Sequence, residues 1–318
     1  MVDIDRLLDA GEDFGGYDAV CLWHQYPRLG IDERSQWDFF EDFPGGLNGI
    51  KEITKKCHER GTRVMLPYKP WDAPSSMSPN ETAVCLHIIE NTGVDGFFLD
   101  TMFNIPNNFR TQADKVKKGC VFCTELPPES GRTIETLTGS WQQSTPLHYQ
   151  TPILQYVFPE HRSHFISRWS IDSDRDNILK KAIMNGSGLV IWQDIFGSWL
   201  PYDDYQKAEV KRWKQIWLDN KNCFLSQNVF PLWPALQHDI VINAFICDLS
   251  GEAIFTVYNN SDEFIKGDIL SCKSYGENKV CDLWNNNTDV HITGDKISAS
   301  LNPHQVAVIK VKINLAGK

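Results

Sequence analysis

The sequence predicts an α/β fold: a (β/α)8-type TIM barrel, short of its first strand, followed by a C-terminal antiparallel β-sandwich. Three observations predict it. From residue 17 to about 224, short apolar runs alternate with helical patterns, the rhythm of parallel strands covered by helices. Strands recur every ~30–40 residues, the length of a βα unit, and six or seven such units favour a barrel over an open sheet. Beyond residue 225 the runs become short, β-rich and separated by Asn, Asp, Gly and Ser turns, as in a small sandwich. The expected domains are 1–224 for the barrel and 225–318 for the sandwich.

The elements follow in order. "YDAVCLWHQ" (17–25) reads as a strand. "GLNGIKEITKKCHERG" (46–61) reads as a helix with Leu47, Ile50, Ile53 and Cys57 on one face and Gly61 at its C-terminal cap. "TRVMLPYK" (62–69) is a strand. "SPNETAVCLHIIENTG" (78–93) opens with Ser78 and Glu81 in capping-box spacing and Pro79 at the first helical position. It buries Val84, Cys85, Ile88 and Ile89. "VDGFFLD" (94–100) is a strand that runs apolar into Asp100. "FRTQADKVKKG" (109–119) predicts a helix, "CVFCTEL" (120–126) a strand, "GRTIETLTGSWQQ" (131–143) a helix and "ILQYVFPEH" (153–161) a strand, with "HFISRW" (164–169) extending it or forming another. "DSDRDNILKKAIMNG" (172–186) is a helix, "GLVIWQD" (188–194) a strand, and "DDYQKAEVKRWKQIWLDNK" (203–221) a helix with Trp213 and Trp217 in its core face. The sandwich strands are "IVINAFIC" (240–247), "EAIFTVYNN" (252–260), "KVCDLW" (279–284), "DKISASL" (295–301) and "HQVAVIKVKI" (304–313).

Composition narrows the function classes. Net charge is 31 − 41 = −10, with no run of Lys and Arg, so nucleic acid and anionic membranes are not expected partners. No apolar run approaches ~18 residues. Residues 1–13 are acidic and amphipathic rather than a signal peptide, which points to the cytoplasm. Nine cysteines, an odd count with several in apolar patterns, fit buried free thiols in a reducing compartment. No GxGxxG or P-loop opens a helix, and no organic cofactor is implied. Cys120 and Cys123, three apart on a strand, point to opposite faces. No His and carboxylate cluster has metal-ligand spacing, so no metal is expected; the acidic run Asp172, Asp174 and Asp176 suits a helix start better than Ca²⁺.

In a parallel barrel, catalytic residues gather at the C-terminal ends of the strands. The residues there include Trp23, His24 and Tyr26; Lys69, Trp71 and Asp72; Asp100; Glu125; His161; Trp192 and Asp194. The set is polar, aromatic and rich in carboxylates. Asp100 and Glu125 end consecutive strands. Paired carboxylates across a small gap are what glycoside hydrolysis needs, with about 5–5.5 Å between them for retention and about 6.5–9.5 Å for inversion. Trp and Tyr rings offer flat faces for sugar rings. For Asp100 the structural alternative is an N-cap or ion pair; Asp194 equally suits a turn cap.

"GVDGFFLD" is similar to the fourth-strand motif of the α-amylase superfamily, whose final Asp is the nucleophile. "VFCTEL" resembles the fifth strand, whose Glu is the acid/base, and "IWQD" (191–194) falls where the family often has a third carboxylate. "YDAVCLWHQYPRLG", "FPGGLNGIKEITKKCHERGTRVMLPY" and "NILKKAIMNGSGLVIW" look like the branch that includes endo-α-N-acetylgalactosaminidases and uncharacterised bacterial relatives. The resemblance covers most of residues 15–310. It implies a retaining glycosidase acting on the α-glycosidic bond of an oligosaccharide or glycoconjugate. Asp100 would be the nucleophile, Glu125 the acid/base and Asp194 the third carboxylate, and Trp23, His24, Tyr26, Lys69, Trp71, Asp72, His161 and Trp192 would line the sugar site. Three departures stand out. Phe98 occupies the position of the Arg two residues before the nucleophile, which argues against a starch enzyme. The His-Asp ending of the last motif is absent around Asp194. Only two clear strands precede Asp100. Two rival readings are an α-galactosidase-like enzyme with Asp172 or Asp174 as its acid and a non-catalytic carbohydrate-binding relic.

Overall fold

The computed structural model describes residues 3–24, 34–72, 81–105, 107–128, 130–142, 151–166, 175–195, 197–272, 280–285 and 289–312. The chain forms two compact units, Met1–Gln143 and Ser144–Lys318. The first runs α1 (Ile4–Gly11), β1 (Ala19–Cys21), α2 (Gln36–Glu41), α3 (Gly46–Glu59), β2 (Arg63–Tyr68), α4 (Glu81–Thr92), β3 (Gly96–Leu99), α5 (Asn107–Val116), β4 (Val121–Thr124), α6 (Gly131–Ile134) and β5 (Gly139–Gln142). The strands lie in sequence order and pair in parallel, with Cys21 opposite Met65, Pro67 opposite Phe98, Phe98 opposite Cys123, and Cys123 opposite Gly139.

One face of this sheet is packed by helices. Val64, Leu66, Phe97, Leu99 and Phe122 share a core with Ile50 and Cys57 of α3, Ile88 and Ile89 of α4, and Phe109 and Ala113 of α5. Side chains alternate along a strand, so Phe98 and Asp100 take the other face. There Phe98 lies between Trp23 (ring centroids 5.6 Å apart) and Trp141 (4.0 Å, interplanar angle 29°).

The start of β3 is pinned by Asp95. Its buried carboxylate accepts hydrogen bonds from the Val64 N–H at 2.8 Å and the Lys117 ammonium at 2.9 Å, and pairs with His58 Nε2 at 2.7 Å. Its backbone bonds both neighbours: the N–H donates to Val64 O and the C=O accepts from Val121 N–H, each at 2.7 Å. Burial opposes its charge, but the His58, Lys117 and Val64 contacts outweigh burial and hold Asp95 below the ordinary carboxylate value. Gly96 follows with φ +152°, and a Cβ there would fall 1.8 Å from Val121 O, so only glycine lets β4 approach.

Two expected elements in or after this unit change. The helix expected over 131–143 stops at Ile134, and Gly139–Gln142 is the strand β5. Ile134, Leu137 and Trp141 have helical spacing, but Thr138 leaves the helix to bond Phe122 O at 2.8 Å. The strand expected over 153–161 is instead α7 (Ile153–Val157), and the strand β6 (Arg162–Ile166) begins after it.

The second unit continues with α8 (Arg175–Met184), β7 (Gly188–Val190), the hairpin β8 (Asp194–Ile195) and β9 (Ser198–Trp199), α9 (Asp204–Asp219) and α10 (Lys221–Phe224). β6 and β7 pair in parallel. The β-rich region then begins with β10 (Asn228–Phe230), just past the 224/225 boundary read from the sequence. It continues through β11 (Ile240–Cys247), β12 (Glu252–Asn259), β13 (Ile265–Ser271), β14 (Val280–Asp282), β15 (His291–Thr293), β16 (Lys296–Leu301) and β17 (Val306–Lys312). Two antiparallel sheets form, ordered β10-β11-β12-β17-β14 and β13-β16-β15. Ile242, Ala244, Phe255, Val257 and Ile309 of one pack against Ile269, Leu270, Ile297, Ala299 and Leu301 of the other. The outer face of the larger sheet, with Phe245, Ile254 and Val308, packs on Leu179 and Ile183 of α8 and Trp213 and Ile216 of α9. The carbonyl of Met184, at the end of α8, accepts from Asn243 Nδ2 and Thr256 Oγ1, both at 2.9 Å.

The nine cysteines are free thiols; Cys21 and Cys281 are exposed and the others buried. Among the described residues no helix is long and apolar enough to cross a membrane.

Asp95 supplies the first test. Asp95→Ala removes the acceptor from the half-buried Lys117 ammonium and from the buried Val64 N–H and is expected to cost about 2 kcal/mol, read from urea unfolding. Because Asp95 is held below its ordinary value, its contribution is full above pH ~4 and declines as pH falls through that lowered value. The gap between wild type and variant should therefore close on acidification.

Candidate functional site

The parallel ladder runs one residue past each strand end. The Asp100 N–H donates to Tyr68 O at 2.9 Å, and the Glu125 N–H donates to Leu99 O at 3.0 Å. Asp100 and Glu125 are thus side by side at the C-terminal ends of β3 and β4. The next residue turns sharply: Thr101 has φ +57°, a left-handed backbone that a β-branched residue rarely adopts. That turn aims the Thr101 N–H at Glu125 Oε2, 2.8 Å away.

Burial pushes Asp100 up to about 7, and a hydrogen bond to the Glu125 carboxyl and the charge of Glu125 add to the rise. The charge of Lys69 and the Thr101 N–H act against it. The site therefore disfavours the charged form of Asp100.

Beside Asp100, at the end of β2, stands Lys69, with no exposed surface. Its ammonium lies 3.1 Å from His24 Nδ1 and 3.6 Å from the buried carboxylate of Asp72. The rings of Trp23 and Trp71 each lie 5.9 Å from it. Both indoles keep about two-fifths of their surface exposed, 41% and 40%. The Lys69 backbone is held by one side chain: Gln36 Oε1 accepts its N–H at 2.8 Å, and Gln36 Nε2 donates to its carbonyl at 2.6 Å. Burial lowers the lysine from its ordinary value, with Asp72, Asp100 and Cys21 opposing.

The structure therefore brings together Asp100, Glu125, Lys69, Asp72, His24, Trp23 and Trp71 from the expected set. Gln36 and Trp141 were not legible as site residues. Ser35 and Asp38 carried a usable signal, since the Asp38 carboxylate accepts from Ser35 N–H at 2.8 Å and Ser35 Oγ at 2.9 Å and starts α2, which bears Gln36. Trp141 was hidden by its helical spacing.

Three further expected residues, His161, Trp192 and Asp194, belong to the second unit. Tyr26, Asp172 and Asp174 lie outside the described residues. In the second unit His161 is buried and its imidazole is pushed down to about 4 by burial and by the charges of His164 and Arg162, which keeps it neutral. Trp192 is half-buried. Asp194 is exposed at the start of the β8–β9 hairpin, where its Oδ1 accepts the Gly197 N–H at 2.9 Å and caps the turn. Among the described residues no group of three or more His, Cys, Asp or Glu side chains could hold a metal ion.

No protein-family model matches the chain, and no curated protein matches it in sequence. Solved structures do match its fold. An Anoxybacillus α-amylase is 13% identical with a TM-score of 0.71, covering 98% of this chain and 90% of its own. An α-amylase from Geobacillus thermoleovorans, solved with acarbose, is 13% identical with a TM-score of 0.71, covering 97% and 91%. The maltogenic α-amylase AmyB from Thermotoga neapolitana is 12% identical with a TM-score of 0.67, covering 98% and 94%. At this identity the likeness establishes the fold, a TIM-barrel type followed by a C-terminal β-sandwich, as the sequence predicts.

The turn at Thr101 supplies the second test. A non-glycine residue held left-handed costs about 1–3 kcal/mol, and the Thr101 side chain is exposed. Thr101→Gly keeps the N–H to Glu125 and relieves the strain, at some cost in unfolded-state entropy. It is expected to raise stability by about 0.5–1 kcal/mol in chemical denaturation.

Proposed function

We propose that the protein is a retaining glycoside hydrolase acting on an α-glycosidic bond, with Asp100 as nucleophile and Glu125 as acid/base. The observation that carries this reading is the placement of two carboxyl groups, Asp100 and Glu125, side by side at the C-terminal ends of adjacent strands. On this reading the catalytic barrel is residues 1–224 and the sandwich 225–318. The solved α-amylases share the fold, and the strand motifs around Asp100 and Glu125 resemble that superfamily. Among its branches the motifs favour the endo-α-N-acetylgalactosaminidase-like one.

Glu125 accepts the Thr101 N–H. With a sugar seated at the carboxyls, Glu125 holds the proton and Asp100 the charge. Asp100 then attacks the anomeric carbon while Glu125 protonates the departing oxygen, giving a glycosyl ester and a Glu125 carboxylate. Glu125 next takes a proton from water as that water attacks the same carbon, and Asp100 is released. The exposed indoles of Trp23 and Trp71 provide stacking faces for the sugar.

The second reading is a barrel that binds sugar without turnover, in which the two carboxyls do not act as a catalytic pair. A panel of 4-nitrophenyl α- and β-glycosides separates them. Hydrolysis of an α-glycoside that falls by at least about 10³-fold in Asp100→Asn supports the hydrolase. Glu125→Gln should fall comparably on substrates with poor leaving groups; retained activity there would instead favour an acid from the 172–174 segment. A folded protein inert on the whole panel would sink the hydrolase reading.

A further inference from the structure

We propose that Lys69 is a positioning cation for Asp100: its buried ammonium, supplied from the neighbouring strand, favours the charged carboxylate that a nucleophile needs. The inference rests on the reading of Asp100 and Glu125 as one working pair.

The geometry comes first. Pro67 is opposite Phe98 in the ladder, so Lys69 and Asp100, two residues on in each strand, stand at the same level and on the same face. Tyr68 O accepts the Asp100 N–H, which fixes the two chains against each other at that level. The Lys69 backbone is gripped on both its N–H and its C=O by Gln36. The side chain has His24 Nδ1 on one side, Asp72 on another, and an indole at each flank.

Energetics give the second argument. Burying an ion pair is seldom a net gain, and an apolar pair of equal volume is often as stable or more so. Lys69 and Asp72 are both fully buried, so stability alone does not account for a charge here. A role at Asp100 does. The strand that carries Asp100 offers no cation of its own, because position 98 is a phenylalanine stacked on Trp141. The positive charge comes from the adjacent strand instead.

The surrounding charges set the sign. Facing Lys69 are His24 and Cys21 from the β1 side, Asp72 from the turn after β2, and Asp100 from β3. Facing Asp100 are Glu125 from β4 and Lys69 from β2. The Lys69 charge favours ionised Asp100, and Glu125 opposes it. Without Lys69, Asp100 would keep its proton to higher pH.

The test is a carboxyl ¹³C NMR titration of the full chain, with the Asp100 resonance identified by its loss in Asp100→Asn. Replacing Lys69 by methionine keeps the volume and removes the charge. The Asp100 midpoint is expected to rise by about 1 pH unit; an unchanged midpoint in folded Lys69→Met overturns the proposal. If that variant does not fold, ¹⁵Nζ-lysine spectra of the wild-type chain decide. The Lys69 resonance should step at the Asp100 midpoint, and its absence overturns the proposal. This titration needs no turnover, so an inert glycoside panel beside a shifted midpoint would sink the hydrolase reading and leave this inference standing. Where a substrate is found, the acid limb of kcat/KM should move up with the midpoint, which loss of a merely structural lysine would not do.

Discussion

The arrangement at the end of β3 depends on the carboxylate of Asp95 at its beginning. A strand of four residues, Gly96–Leu99, has little to hold it in register by itself. Asp95 bonds β2 through Val64, α3 through His58, and the end of α5 through Lys117. Those contacts fix how far β3 slides against its neighbours, and hence the level at which residue 100 leaves the sheet. A slip of one residue would turn Asp100 towards the helices and Leu99 towards the site. The two aspartates bracket the same strand with opposite electrostatics. Asp95 is met by donors and held below the ordinary carboxylate value, whereas Asp100 is met by burial and another carboxyl and is pushed up to about 7. In parallel barrels the N-terminal face serves stability and the C-terminal face chemistry, and Asp95 and Asp100 stand at those two ends of one strand.

The interior face beneath the carboxyls is aromatic rather than charged. Phe98 of β3 stacks on Trp141 of β5 and meets the tilted ring of Trp23, just past β1, and Phe98 is 3% exposed. An apolar layer lowers the local dielectric, which both raises the proton affinity of Asp100 and strengthens every charge that acts on it. One buried lysine and one buried aspartate set beside that layer therefore count for more than the same pair at a surface.

Much of this was legible in the sequence. The βα rhythm, the change to β-rich chain near residue 225, and the strand-end carboxylates Asp100 and Glu125 follow from periodicity and from where polar residues interrupt apolar runs. What was not legible has local causes. "GSWQ" was hidden in a helical spacing, and Gly139 and Ser140 carry little strand preference. The run beginning at Ile153 is apolar enough for either element, and five residues give periodicity too little length to decide. Gln36 is polar and sits on a short helix, and nothing in its surroundings announces a side chain that clamps a backbone 33 residues later. Asp194 was one of several plausible strand-end carboxylates; only the hairpin geometry shows its bond to the Gly197 N–H.

The end of helix α8 has a consequence for how the molecule is made. Its last carbonyl, at Met184, is satisfied by Asn243 and Thr256, residues that are fully buried and lie 59 and 72 positions further along the chain. A chain emerging from the ribosome N-terminus first exposes α8 well before its acceptors' partners exist. The strands β6 and β7 and their helix must therefore wait, loosely ordered, until β11 and β12 have been synthesised, and contacts this distant in sequence form slowly. The sandwich is the assembly jig for the helical segment that precedes it, and truncation within it would strand that segment half-made.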